Sequence, residues 1–159
     1  MISLNRLTRS IKRLIAARDG TAVVEMALVL PMIVGMIIGM TDLGMGAYTE
    51  MQVQNAAQAG AEYATRVGYN SVGITAAVTN ATSLSGVTAN PVPSQSCGCA
   101  QGTTVTLFNT VPPCAQVCPS GTVGTYVTVN AQASFTTLFS YPGLSSPMTL
   151  SASSVVRIK

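Results

Sequence analysis

The 159-residue chain has no histidine and no tryptophan. Between Arg66 and Arg157 it has no Asp, Glu, Lys or Arg either. Proton transfer in catalysis draws on those side chains. The C-terminal half is therefore not expected to hold an acid–base site, and the chain is not read as an enzyme. Aromatics make up 5% of the residues, so a core outside any membrane must be built from Val, Leu, Ile and Ala. No motif calls for a cofactor. A long uncharged segment rich in Ser and Thr reads instead as a polar extracytoplasmic fold.

The charges that are present lie at one end. Residues 1–20 carry Arg6, Arg9, Lys12, Arg13 and Arg18 against Asp19, a net +4. From Thr21 onward Arg66, Arg157 and Lys159 face Glu25, Asp42, Glu50 and Glu62, a net −1. The basicity belongs to a leader. A nucleic-acid partner would need a basic patch on the folded part, and none is expected.

Beyond the leader lies an apolar run. Met26 to Met40 is uncharged, and Ala22–Val24 extend it on the N-terminal side. From Ala22 to Leu43 a helix would span roughly 33 Å, enough for the hydrocarbon core of a bilayer. Lys and Arg crowd its N-terminal flank, which places that flank in the cytoplasm and the remainder outside it. A cleaved secretory signal is the rival reading, with Gly44-Met45-Gly46 before Ala47 as a weak cleavage site. Against it stand the long leader, Glu25 at the start of the run and Pro31 inside it. Pro31 cannot donate to the carbonyl four residues earlier, so a kink or local opening is expected there.

The helical pattern continues past Asp42. Val53, Ala56, Ala57, Gly60, Ala61, Ala64 and Val67 recur at helical spacing and form one face of small residues. Glu62 and Arg66 stand at i, i+4 in the favourable order, and Gly68 offers a stop. One helix from Thr21 to about Val67 is predicted, roughly 70 Å if unbroken. Two helices hinged at Gly44-Met45-Gly46 are the alternative. Asn70–Leu84 is weakly helical, with Ser71 as a candidate N-cap. Gly86–Asn90, Thr103–Phe108, Tyr126–Phe135 and Met148–Ile158 read as strands. In the third of these Val127, Val129, Ala131, Ala133 and Phe135 share a face. Ser140-Tyr141-Pro142-Gly143 reads as the turn between the last two strands. The fold class is α+β: a long N-terminal helix, its first half transmembrane, then a small disulfide-tied antiparallel β domain. The boundaries are 1–20 for the leader, 21–43 for the span, 44–68 for the second half of the helix and 69–159 for the β-rich domain.

The four cysteines fall in one window, as Cys97-Gly98-Cys99 and Cys114-Ala115-Gln116-Val117-Cys118. Zinc sites usually show two-residue spacers, and these are one and three. An extracytoplasmic compartment favours disulfides. A Cys97–Cys99 bond would close a strained ring, so each of these two is expected to pair with Cys114 or Cys118. Two pairings remain open.

Set side by side, Asp19-Gly20, the block Val24-Glu25-Met26-Ala27-Leu28-Val29-Leu30-Pro31 and the stretch Gly39-Met40-Thr41-Asp42-Leu43-Gly44 resemble the TadE-like family of minor pseudopilins. These belong to the tight-adherence (Flp, type IVc) pilus system. Met26 departs from the pattern, since the family often has an aromatic residue there. The resemblance implies cleavage of the leader by a prepilin peptidase after Gly20. Thr21 then becomes the mature N-terminus and Glu25 the fifth mature residue. It further implies that Glu25 pairs with a neighbouring subunit's amino group and serves subunit assembly rather than catalysis. The implied partners are the prepilin peptidase, other pseudopilins and the major pilin, an inner-membrane assembly platform and membrane lipid. The implied location is the bacterial inner membrane, with the C-terminal domain in the periplasm.

Overall fold

The computed structural model describes residues 20–119, 121–139, 143 and 146–159. The basic leader before Gly20, and Ser140, Tyr141 and Pro142 of the expected turn, lie outside the described residues. The elements are α1 (Thr21–Val67), α2 (Ser71–Asn80), β1 (Ser94–Gln101), β2 (Thr104–Phe108), β3 (Val123–Phe135) and β4 (Met148–Arg157). The chain is α+β, as the periodicities predict. Two compact units divide between Leu43 and Gly44.

The described part of the first unit is the N-terminal portion of α1. Val23, Leu28, Met32, Met36 and Met40 are all exposed there, among other large apolar side chains. Pro31 sits inside α1 and deprives the Ala27 carbonyl of its donor. Asp42, the acid near the end of the apolar run, is buried at 5% exposure.

In the second unit α1 turns amphipathic. Val53, Ala56, Ala57, Gly60, Ala61 and Ala64 are buried, while Gln54, Gln58, Glu62 and Arg66 are exposed. Val67 departs from the expectation at 61% exposure, because the buried stripe stops one turn before the helix does. The Gly68 amide closes the end on the Ala64 carbonyl at 2.9 Å. Gly68 has φ +90°, a left-handed cap that residues with a Cβ rarely adopt. The N-cap of α2 is Asn70, not Ser71. Asn70 is extended, and its side chain accepts from the Gly73 amide at 3.1 Å. Ser71 is already the first residue of the helix.

The sheet order is β2-β1-β3-β4, antiparallel throughout. β3 is the longest strand and lies inside the sheet. Val127, Val129, Ala131, Ala133 and Phe135 are all buried on it, the face the alternation predicts. Val127, Val129, Ile74 and Val78 are fully buried, and side chains of this size stabilise by about 1.5–3 kcal/mol each. The alanines of α1 add less area, but they let the helix come close to the sheet. A methyl at Gly60 would lie 2.7 Å from both Val129 Cγ1 and Val78 Cγ2.

Two strand expectations change. Gly86–Asn90 forms only a bridge, Thr88 to Gln132, because Pro91 follows directly and has no amide to extend the ladder. β1, Ser94–Gln101, was not expected. It is made of Ser, Gln, Cys, Gly and Ala and has no β-branched residue, so local propensity does not announce it. Its neighbours on both sides hold it in place. It pairs Cys97 with Phe108 of β2 and Cys97 with Thr125 of β3.

Candidate assembly and processing site

The first candidate site is the start of α1. Gly20 immediately precedes the helix, and among the described residues a Cβ built on it would meet nothing within 4 Å. Thr21 opens the helix, and Glu25 follows at i+4. That spacing stacks the two positions on one face, one turn apart, at a rise of about 6 Å. Gly20, Thr21 and Glu25 are all exposed. Around Glu25 the surface is apolar, with Val24 62% and Met26 65% exposed. The most apolar 18-residue window of α1 has a mean hydropathy of 2.3, and none of it is buried. A helix that is apolar on all sides suits a membrane span, and α1 is long and apolar enough to cross one. A carboxylate at the end of such a surface is costly unless it is paired or sits at the interface.

The second candidate site is the disulfide cluster. Cys97 is bonded to Cys114 and Cys99 to Cys118, with Cα–Cα distances of 5.5 and 5.7 Å. All four sulfurs are consumed, which leaves no thiolate for zinc or for redox exchange. Cys97 and Cys99 are fully buried. They alternate with Gly98, so both lie on the same face of β1. Cys97 is in register with Thr125, which puts that face on the same side of the sheet as Val127 and Val129. The Cys114 sulfur lies 3.7 Å from the Thr125 hydroxyl oxygen. The looped segment therefore covers one end of the core face, and α1 and α2 cover the rest. This segment has little core of its own. Val111 and Val117 are 72% and 92% exposed.

Elsewhere in the second unit an open groove of about 300 Å³ is lined by Gln54, Ala57, Gln58 and Ser151–Ser154. Its polar groups are amides and hydroxyls, which can hydrogen-bond but cannot act as an acid–base pair near neutral pH. Glu62 and Arg66 form an exposed ion pair at 3.9 Å. Arg157 donates from Nε to the Lys159 carbonyl and from a terminal nitrogen to the Thr122 hydroxyl, so its charge ties down the C-terminus.

Residues 20–62 fit the model of the family described as TadE-like protein. The matched stretch begins at Gly20 and includes Thr21, Glu25, the apolar run and the first part of the buried alanine stripe. Over that stretch the chain is similar to this family. Neither the curated proteins nor the solved structures yield a match.

Proposed function

We propose that this chain, TadE-like over residues 20–62, is a minor pseudopilin of a Tad (Flp, type IVc) pilus. A prepilin peptidase would remove residues 1–20 on the cytoplasmic side. Residues 21–43 would cross the inner membrane, 44–68 would carry the helix outward, and 69–159 would form a periplasmic domain tied by its disulfides.

One observation carries this reading. Glu25 lies one turn into an exposed apolar helix, four residues after the position that cleavage would turn into an α-amino group. The new ammonium and the carboxylate are each expensive in apolar surroundings, and each removes the other's penalty when they meet. When Thr21 of one subunit faces Glu25 of its neighbour, the pair also fixes the axial register between two otherwise greasy helices. The chain enters the filament or its assembly complex by packing, with other pseudopilins, the major pilin and the assembly platform as partners. No bond is made or broken by this protein itself.

The test compares Glu25→Gln with Glu25→Asp. Gln keeps the shape and removes the charge, so the variant inserts and is still cleaved, but co-purification with pilus subunits is lost. An unpaired ammonium left in apolar surroundings costs several kcal/mol. Asp keeps the charge with shorter reach and gives an intermediate result. Normal piliation with Glu25→Gln would contradict the assembly role and leave a single-pass anchored binding module.

A further inference from the structure

Phe135, the last residue of β3, packs against Gly46. Its ring carbon lies 3.5 Å from where a Gly46 Cβ would be. Farther back along the strand, Val129 packs against Gly60. Six strand residues cover about 20 Å and fourteen helix residues cover about 21 Å. Within the folded domain β3 therefore runs antiparallel to α1. It ends beside the point where α1 enters from the apolar segment, three residues after Leu43.

The chain that leaves β3 at this end is uncharged and carries Leu138 and Phe139. Leu138 and Phe139 are 59% and 55% exposed. No charged residue follows until Arg157. The neck is built. The Thr137 hydroxyl donates to the Phe139 carbonyl at 2.7 Å, and the Thr137 amide donates to the Ser146 hydroxyl at 3.3 Å. Two large apolar side chains are thus fixed in the open. At the same end of the domain, α1 exposes Met45 at 48% and Tyr48 at 51%.

We propose that Leu138 and Phe139 form a second membrane contact, inserted into the headgroup region of the leaflet from which the folded domain emerges. The occupant is the lipid surface itself, because the patch lies at the end of the domain that is covalently continuous with the span. An aromatic ring is at home in that zone, and shallow insertion of an uncharged apolar tip is how interfacial segments bind. One helix alone gives the domain a single attachment to the membrane. A second contact would fix its tilt on the membrane before assembly. The inference rests on the reading of α1 as a membrane span.

The absence of tryptophan from the chain supplies the test. Full-length protein is reconstituted into phosphatidylcholine vesicles carrying brominated acyl chains, with one tryptophan introduced at a time. Met36→Trp reports the span, Phe139→Trp the tip, and Val117→Trp the disulfide segment at the other end of β3. A mass consistent with two intact disulfides verifies folding of each variant. The account predicts loss of Met36→Trp emission with deep bromines. Phe139→Trp emission should be blue-shifted and lost mainly with shallow bromines, and Val117→Trp emission should be unchanged. Quenching of Met36→Trp without quenching of Phe139→Trp would overturn the second contact, retain the anchor, and leave the patch to a protein neighbour. An unquenched Met36→Trp would overturn the span, and the tip contact with it.

Discussion

Gly60 of α1 faces Val129 of β3 with no room for a methyl group between them, since a Cβ at Gly60 would stand 2.7 Å from Val129 Cγ1. Glycine in a helix interior costs about 1 kcal/mol relative to alanine. Here that cost is offset by the close approach of helix and sheet. Gly60→Ala would also press on Val78 Cγ2 at 2.7 Å and Ile74 Cγ2 at 3.3 Å. Overpacking of this kind costs about 1–3 kcal/mol, so the substitution should destabilise despite the better helix former. Gly60→Leu should do so more strongly. Thermal unfolding of the full chain in detergent checks both, and an unchanged or raised midpoint for Gly60→Ala would refute the packing.

The disulfides make a separate prediction. Peptide mapping under non-reducing conditions should find Cys97 linked to Cys114 and Cys99 to Cys118, the pairing of the structure. Removing the first bridge by Cys97→Ser with Cys114→Ser should cost about 3 kcal/mol, given a sequence separation of 17 residues. The loss should appear as faster hydrogen exchange in β1 and the segment beyond β2. Linkage of Cys97 to Cys118 would count against this arrangement.

The Glu62–Arg66 pair should matter little. Both side chains are more than 70% exposed, and such i, i+4 pairs contribute about 0.3–0.5 kcal/mol. Glu62→Gln should shift the unfolding midpoint barely beyond error, while Gly60→Ala, two residues away, shifts it clearly. Equal effects would mean that the packing of α1 has been misjudged.

Substitution at Gly20 tests processing. Among the described residues nothing lies within 4 Å of a Cβ at this position, so they leave room for a larger side chain there. Gly20→Leu should fold and insert normally yet retain its leader, because the bulk would obstruct the peptidase and not the fold. A mature mass equal to that of the unmodified protein, in cells with an active peptidase, would defeat the processing reading.

Much of this architecture could be read from periodicity. The small-residue stripe from Val53 to Ala64 and the alternation from Val127 to Phe135 are patterns with a single physical reading, and the structure packs those two faces together. β1 was illegible for a physical reason. Ser94–Gln101 has no strand-forming side chains, and its place depends on two flanking strands and two covalent bonds from distant sequence. Thr88 shows the converse. Gly86–Asn90 has strand-like residues, but Pro91 limits it to a single bridge. Asn70 displaced Ser71 as the N-cap because capping depends on which residue stays extended, and adjacent Asn and Ser satisfy the sequence rule equally. At the candidate site Gly20, Thr21 and Glu25 were singled out by the family resemblance, and nothing in the sequence signalled the burial of Asp42.

The most direct test of the pseudopilin reading is the mature N-terminus of the protein purified from the cell envelope, determined by intact mass and terminal peptide sequencing. The account predicts a chain that begins at Thr21, with Glu25 as its fifth residue and both disulfides intact. A chain that begins at Met1 would contradict it in favour of a plain anchor, and one that begins at Ala47 would contradict it in favour of a secreted domain.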